Sequence, residues 1–417
     1  MRAARRPSAD DAPLADEELD SLFAPLAGAG LIALAVSGGA DSLALLDAVD
    51  RWRGKRRVVV LTVDHRLRKG SRAEAEGVAK IAKARGLDAR ILTRAGARPT
   101  GDIEAAARAA RYRLLLDACR DIGATHLAVA HHRDDLAETF LLRLRRGSGV
   151  FGLAAMRPVL EVGGVTIVRP FLGVPRSRLA AATAAAKLTP VVDPMNDDPR
   201  FDRARMRRLL AGEGIDATAL AATAIRLADA ADAIDAAASA LLGDVDAWGI
   251  AWLEPAALAA APREVQLRAV TRLLLAVGGD DYPPRHERLA ALVDAMLAGP
   301  ARFKRTLAGA VVELKSGRFA FSREAGRDGL PTLPAKPGAP VVWDGRYAIA
   351  VTSEAPSGLS VGPLSATAPF PALRRRGKVV AALAPGAEAL PAWVSIRPLV
   401  AERLRRPPLF PDFAAAR

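Results

Sequence analysis

Residues 32–46 read Ile32-Ala33-Leu34-Ala35-Val36-Ser37-Gly38-Gly39-Ala40-Asp41-Ser42-Leu43-Ala44-Leu45-Leu46. The apolar run from Leu31 to Val36 has the length and character of a buried strand. It breaks at Ser37, and a helical pattern starts at Leu43 and continues through Leu45, Leu46 and Val49. Strand, glycine turn and helix start predict an anion site. The first N–H groups of a helix lack internal partners, and the helix dipole favours negative charge there. Gly38 and Gly39 let the backbone come close to a phosphate, and Ser37 and Ser42 add hydroxyl donors. Asp41 is the exception, because a carboxylate repels phosphate unless a Mg²⁺ ion bridges the two. No Gly-Lys-Ser/Thr follows the glycines, so this is not a Walker A loop, and the spacing is not Gly-x-Gly-x-x-Gly.

Around this run, residues up to about 210 alternate strand and helix patterns. Val58 to Val63, Ala89 to Leu92 and His126 to Ala130 read as strands. Ser71 to Arg85, Glu104 to Cys119 and Asp134 to Arg146 read as helices, with Ser71 and Glu74 spaced as a capping box. Such alternation predicts an α/β fold, a Rossmann-like parallel sheet covered on both faces. Ligands of such sheets sit beyond the carboxyl ends of the strands. Residues 1–25 read as an N-terminal extension and 26–212 as the α/β domain. Residues 213–329 are Ala/Leu-rich and mainly helical, with β-prone runs after Arg302. Pro331, Pro334, Pro337 and Pro340 mark 330–340 as a linker, and 341–417 reads as a small, basic, mixed segment.

The chain has 417 residues and a formal net charge of +14, which points to a polyanionic partner. Its arginine- and alanine-rich composition accounts for part of that excess. Cys119 is the single cysteine, so no disulfide framework or zinc cluster forms within one chain. No apolar run has membrane-spanning length, and the first 20 residues lack the apolar stretch of a signal peptide. The expected location is the cytoplasm.

Three polar clusters fall at predicted strand ends: Ser37 to Ser42, Asp64-His65, and His131 to Asp135. In the last, Asp134, Asp135 and Glu138 lie within one helical turn and can hold a metal or an ammonium ion. Arg108 and Arg111 share a helix face suited to phosphate. A basic run from Asp193 to Arg208 closes the α/β region.

Ser-Gly-Gly-Ala-Asp-Ser after a strand resembles the pyrophosphate loop of the N-type ATP pyrophosphatases. Their members cleave ATP between the α and β phosphates and adenylate a carbonyl-type oxygen. The later motifs appear in a recognisable order. Arg-x-x-Arg-Tyr (Arg108 to Tyr112) comes first, then His-His-x-Asp-Asp-x-x-Glu-Thr (His131 to Thr139). Arg-Arg-Gly-Ser-Gly-Val-x-Gly-Leu (Arg145 to Leu153), Arg169-Pro170-Phe171-Leu172 and the Asp193 to Arg208 run follow. The order resembles the tRNA(Ile)-lysidine synthase family over about residues 30–210, with Met195 and Ala204 standing where the family often has serine and asparagine.

That resemblance implies ATP-dependent ligation of L-lysine to C2 of the wobble cytidine of a CAU-anticodon tRNA(Ile). An adenylated cytidine is the intermediate, and AMP and pyrophosphate are released. It assigns Ser37, Gly38, Gly39, Ala40, Asp41 and Ser42 to pyrophosphate and Mg²⁺, with Asp41 and Asp134 as metal ligands. Val63, Asp64 and His65 lie where adenosine rests. Arg111 meets the phosphates, Asp135 and Glu138 hold the lysine, and His131 or Asp135 takes the proton. Arg203, Arg205 and Arg207 contact tRNA. The oligomeric state stays open, with a homodimer one candidate. Rival readings are another pyrophosphate-loop enzyme, either a tRNA thiolase or an amidating synthetase, and a non-catalytic RNA-binding protein. A thiolase generally needs paired cysteines, and no cysteine-based glutaminase fits here. Asp41, Asp134, Asp135 and Glu138 argue against a decayed binding protein.

Overall fold

The computed structural model describes residues 11–66, 70–94, 103–191, 202–212, 214–279, 283–299, 301–326 and 329–405. They fall into two compact units divided between Ala231 and Asp232.

The first unit is built on a six-stranded sheet. Its strands are β1 (Leu31–Ala35), β2 (Arg57–Asp64), β3 (Asp88–Thr93), β4 (His126–Val129), β5 (Val159–Val162) and β6 (Val165–Val168). The order is β3-β2-β1-β4-β6-β5, parallel throughout except for the β5–β6 pair. Central β1 puts Leu34 beside Val60 on one side and Ala128 on the other. Ile32, Ala33 and Leu34 are fully buried, as expected where helices cover both faces of a parallel sheet. Helices α2 (Ala40–Trp52), α3 (Ser71–Ala84), α4 (Ile103–Ile122) and α5 (Arg133–Arg145) follow β1 to β4 in turn. The switch point of strand order lies between β1 and β4, so the loops after these two strands meet at one end of the sheet.

Four expectations change. Residues 11–26, part of the expected N-terminal extension, pack into the α/β unit. Helix α1 (Asp16–Leu22) and its flanks bury Leu14, Leu19, Phe23 and Leu26 in the same core as Ile32, Leu34 and Leu45. Arg178 Nη2 pairs with Glu18 Oε1 at 2.5 Å and anchors them. Ser71 does not cap α3. Gly70 holds that position in a left-handed conformation, and Ser71 Oγ instead donates to Asp64 Oδ1 at 2.6 Å. The boundary expected at 212 moves to 231. Helix α9 (Ala217–Leu241) buries Ala221 and Ala224 with Leu136 and Phe140, and Ala228 and Ala231 with Ala154.

The fourth change lies in the second unit. A helical pair, α11 (Arg263–Gly278) and α12 (His286–Leu297), packs on a four-stranded antiparallel sheet ordered β7-β10-β9-β8. These strands are β7 (Ala251–Leu253), β8 (Lys304–Leu307), β9 (Ala310–Lys315) and β10 (Arg318–Arg323). Residues 330–340 are not a bare linker, because Leu333–Ala335 forms β11 and pairs with β14 (Leu359–Pro363). Proline is tolerated there because β11 is an edge strand. Asp344 receives Arg323 Nε at 3.1 Å and Arg346 Nε at 2.7 Å, tying the following strands to β10. Among the described residues, no helix is long and apolar enough to cross a membrane.

Candidate active site

The turn after β1 is held from inside. Ser42 Oγ accepts from the N–H groups of Ser37 at 3.2 Å and Gly38 at 3.1 Å, and donates to Gly39 O at 2.9 Å. The Ser42 hydroxyl, expected to reach a phosphate, is therefore spent on shaping the loop. Gly38 has φ +91°, and a Cβ there would lie 3.1 Å from Val78 Cγ2 and 3.2 Å from Val191 Cγ2. Val191 N–H donates to Gly38 O at 2.9 Å, and Thr183 Oγ1 donates to Ala40 O at 2.8 Å. The turn is thus rigid, and no side chain caps the start of α2. Its first-turn N–H groups are left for an anion.

Asp41 stands on that first turn. Its Oδ2 lies 3.6 Å from His132 Nε2 and its Oδ1 3.9 Å from Arg176 Nε. Oδ1 is buried and has no hydrogen-bond partner. Burial alone raises this carboxyl, but the His132 hydrogen bond and the His132, Arg176 and Arg207 charges hold it below its ordinary value. His132 is the N-cap of α5, and the cap is reciprocal. Its Nδ1 accepts from Asp135 N at 3.3 Å, while Asp135 Oδ2 accepts from His132 N at 3.2 Å. Its Nε2 also lies 3.4 Å from Asp135 Oδ2. Burial lowers this imidazole, yet Asp135, Asp41 and Asp134 together raise it above its ordinary value. Asp134 Oδ2 accepts from Arg176 N at 3.0 Å.

Farther along α5, the buried Glu138 meets Arg207 in a forked pair, Nε to Oε1 at 2.8 Å and Nη2 to Oε2 at 3.4 Å. Burial raises the Glu138 carboxyl and Arg207 only partly offsets it. Arg207 lies on α8 (Asp202–Gly212), whose three arginines part company. Arg205 is exposed and pairs with Asp202, which also takes Arg145 at 2.8 Å and Arg146 at 3.3 Å. Arg203 adds positive charge beside His131 and Arg111. Helix geometry explains the division, since residues two apart point away from each other while those four apart share a face. The preceding part of the basic run, 193–201, lies outside the described residues.

His131 has the opposite surroundings to His132. Its Nδ1 accepts from Arg169 Nε at 3.2 Å and its Nε2 lies 3.4 Å from Arg108 Nη2. Burial first, then the charges of Arg108, Arg169, Arg111 and Arg203, hold it far below the ordinary histidine value. Arg111 is itself depressed, by burial and by Arg108 and Arg203.

A rigid anion-binding turn, an unsatisfied aspartate oxygen, an acidic cluster and an arginine cluster thus meet beyond adjacent parallel strands. The sequence pattern of the PP-loop domain family matches residues 13–213. The tRNA(Ile)-lysidine synthase of Methylobacterium nodulans is 45% identical over 332 residues, covering 76% of this chain and 97% of that protein. Those of Rhodopseudomonas palustris and a Bradyrhizobium species are 42% identical over 324 residues and 41% over 343 residues. They cover 73% and 76% of this chain, and 93% and 96% of their own lengths. The chain belongs to the tRNA(Ile)-lysidine synthase family.

In this member of the lysidine synthase family, Asp41 fits a hard cation through its unpartnered Oδ1. Mg²⁺ is typically held by one or two carboxylates, several waters and substrate phosphates. Among the described residues no three His, Cys, Asp or Glu side chains gather as a protein-only cage. The donors present therefore suit an ion shared with phosphate. Of the residues expected at adenosine, Val63 is half-buried at the end of β2. Asp64 is buried, and its Oδ1 is committed to Ser71 and to Arg66 N–H at 3.1 Å. Burial raises the Asp64 carboxyl, but these hydrogen bonds and nearby arginines hold it low. His65 follows, half-buried. Sequence reasoning left His132, Arg169 and Arg176 out of the site. His132 and Arg169 stand inside motifs already quoted, but Arg176 enters through its place at the start of α7 (Arg176–Ala185), which no motif marks.

Proposed function

We propose that this chain uses ATP to join L-lysine to C2 of the wobble cytidine of a CAU-anticodon tRNA(Ile), forming lysidine, AMP and pyrophosphate. The observation that carries the reading is the pairing of a pyrophosphate-type turn with a carboxylate cluster one strand away, joined through His132 to Asp41 at 3.6 Å. ATP needs the first and an amine substrate needs the second.

The ordering of steps follows from leaving groups. Cytidine O2 attacks the α-phosphate of ATP and pyrophosphate departs from the start of α2. The adenylated oxygen is now a good leaving group. The ε-amine of lysine then attacks C2, and the C–O bond breaks to release AMP. Asp41, with Asp134 beside it, would hold a Mg²⁺ ion, which would supply positive charge against the phosphates. Arg111 and Arg203 face the charge that develops on the phosphates. Asp135 and Glu138 receive the substrate ammonium, and Glu138 meets it by exchanging with or sharing Arg207. The amine must lose a proton before attack. Asp135 is the better acceptor, because the Nδ1 lone pair of His131 is taken by Arg169. Arg205, with Arg145 and Arg146, presents positive charge to the tRNA backbone.

The test is AMP release from ATP by purified protein with Mg²⁺, L-lysine and the CAU-anticodon tRNA, omitting each in turn. AMP that requires both lysine and that tRNA is expected. AMP without lysine dependence moves the function to another acceptor, and no AMP in any mixture returns the chain to an RNA-binding role.

A further inference from the structure

Arg169 follows β6 and is 2% exposed. Its Nε donates to His131 Nδ1 at 3.2 Å and its Nη1 to Arg157 O at 2.5 Å. Both neighbours are guanidinium groups, which carry donors only, and the closer donation, from Arg169 Nε at 3.2 Å against 3.4 Å for Arg108, assigns His131 Nδ1 as the unprotonated nitrogen and puts the ring proton on Nε2. Nε2–H faces Arg108 Nη2 at 3.4 Å. Donor against donor is not a hydrogen bond, and one acceptor oxygen placed against both groups satisfies the arrangement. The charges of Arg108, Arg111, Arg169 and Arg203 bear on this ring, so a favourable acceptor is anionic.

We propose that Arg169 is a positioning residue that fixes His131 as the Nε2–H tautomer, so that His131 donates to a phosphate oxygen in the reaction and does not act as its base. This rests on the lysidine-forming reading above. The phosphate belongs either to ATP or to the tRNA backbone, and the kinetics separate them.

The first measurement needs no activity. Imidazole ¹⁵N shifts of the labelled full chain at pH 7.5 show His131 protonated at Nε2 alone, and the Arg169→Met variant shows a mixture of tautomers. Only five histidines crowd that spectrum. Nδ1–H, or a doubly protonated ring, in the unaltered protein overturns the inference whatever the enzyme does. The second measurement is kinetic. His131→Gln keeps a donor near Nε2 and retains kcat within about tenfold, while His131→Ala loses about a hundredfold or more, the usual effect of removing one transition-state donor. Arg169→Met costs kcat in the unaltered background and nothing further beside His131→Ala. A rise in KM for ATP assigns the phosphate to ATP, and a rise in KM for tRNA assigns it to the backbone. The inference fails if the acid limb of kcat/KM vanishes in His131→Gln, or if the two substitutions act additively. Lysine-independent AMP formation in the unaltered protein sinks the functional reading instead, and leaves the tautomer result standing.

Discussion

His131 and His132 are adjacent in sequence and opposite in chemistry. His131 lies among four arginines, which with burial hold its proton affinity far below the ordinary value, while His132 lies among three aspartates, which raise its own. The difference comes from one residue step at a strand-to-helix junction. His132 is the helix cap and turns toward Asp41 and the start of α2. His131, one position earlier, turns toward α4 and the end of β6. The junction therefore separates an acidic cluster, beside the pyrophosphate-type turn, from an arginine cluster. A ligase that must hold a triphosphate and an ammonium together needs both.

The most severe way to break this division is to remove the aspartate that links it to the pyrophosphate turn. Asp41→Asn keeps the shape but removes the negative charge that faces His132 and that a Mg²⁺ ion would need. AMP formation is expected to fall by at least about a hundredfold, a typical cost of losing one charge-stabilising group in a site. Unchanged AMP formation removes Asp41 from the metal.

The next largest effect belongs to the acidic side. Arg207→Ala leaves Glu138 buried without its guanidinium. Stripping one partner from a buried pair costs about 3 kcal/mol, read as a lower denaturant midpoint at constant slope. Adding Glu138→Gln recovers much of that loss, because no charge is then stranded. KM for lysine rises in both variants. A variant with intact stability and weakened tRNA binding alone returns Arg207 to the RNA surface.

The legibility of these features differs for physical reasons. Strand, turn and helix from Leu31 to Leu46 were readable because hydrophobic period and glycine placement are local properties. The parallel sheet followed from alternation. The site was readable as a set of clusters at strand ends. Its partition was not, because pairings such as Glu138 with Arg207 or His131 with Arg169 join residues 69 and 38 positions apart. Ser71 shows the same limit. Its spacing to Glu74 predicts a cap, but Asp64 at the end of β2 competes for the hydroxyl and wins. Prolines 331 to 340 suggested a linker because composition does not say whether an edge strand lies nearby.

The contrast sharpens with pH. His131 has a depressed value in the folded protein, so the unfolded chain binds its proton first as acid is added. The stability it contributes is complete above the unfolded value of about 6.5 and is lost as pH falls toward the folded one. Between these limits the unaltered protein loses up to about 1.4 kcal/mol per pH unit through this group. The urea midpoint of the unaltered protein relative to that of His131→Gln should be constant near neutral pH and fall as pH drops below about 6.5. Parallel curves across that range contradict the neutral His131.

The smallest effect separates the two jobs of His132. His132→Ala removes the side chain that caps α5 and costs about 1 kcal/mol. His132→Asn restores an N-cap acceptor for the Asp135 N–H, so stability returns to within a few tenths of a kcal/mol. Its shorter amide does not reach Asp41 as the imidazole Nε2 does at 3.6 Å, so AMP formation stays low in both variants. Thermal unfolding and AMP release measured side by side distinguish these roles. If asparagine restores both, His132 is only a cap, and the acidic side owes its character to Asp41, Asp134 and Asp135 alone. If it restores stability without activity, the imidazole Nε2 that faces Asp41 is the feature that joins the amine side of the site to its phosphate side.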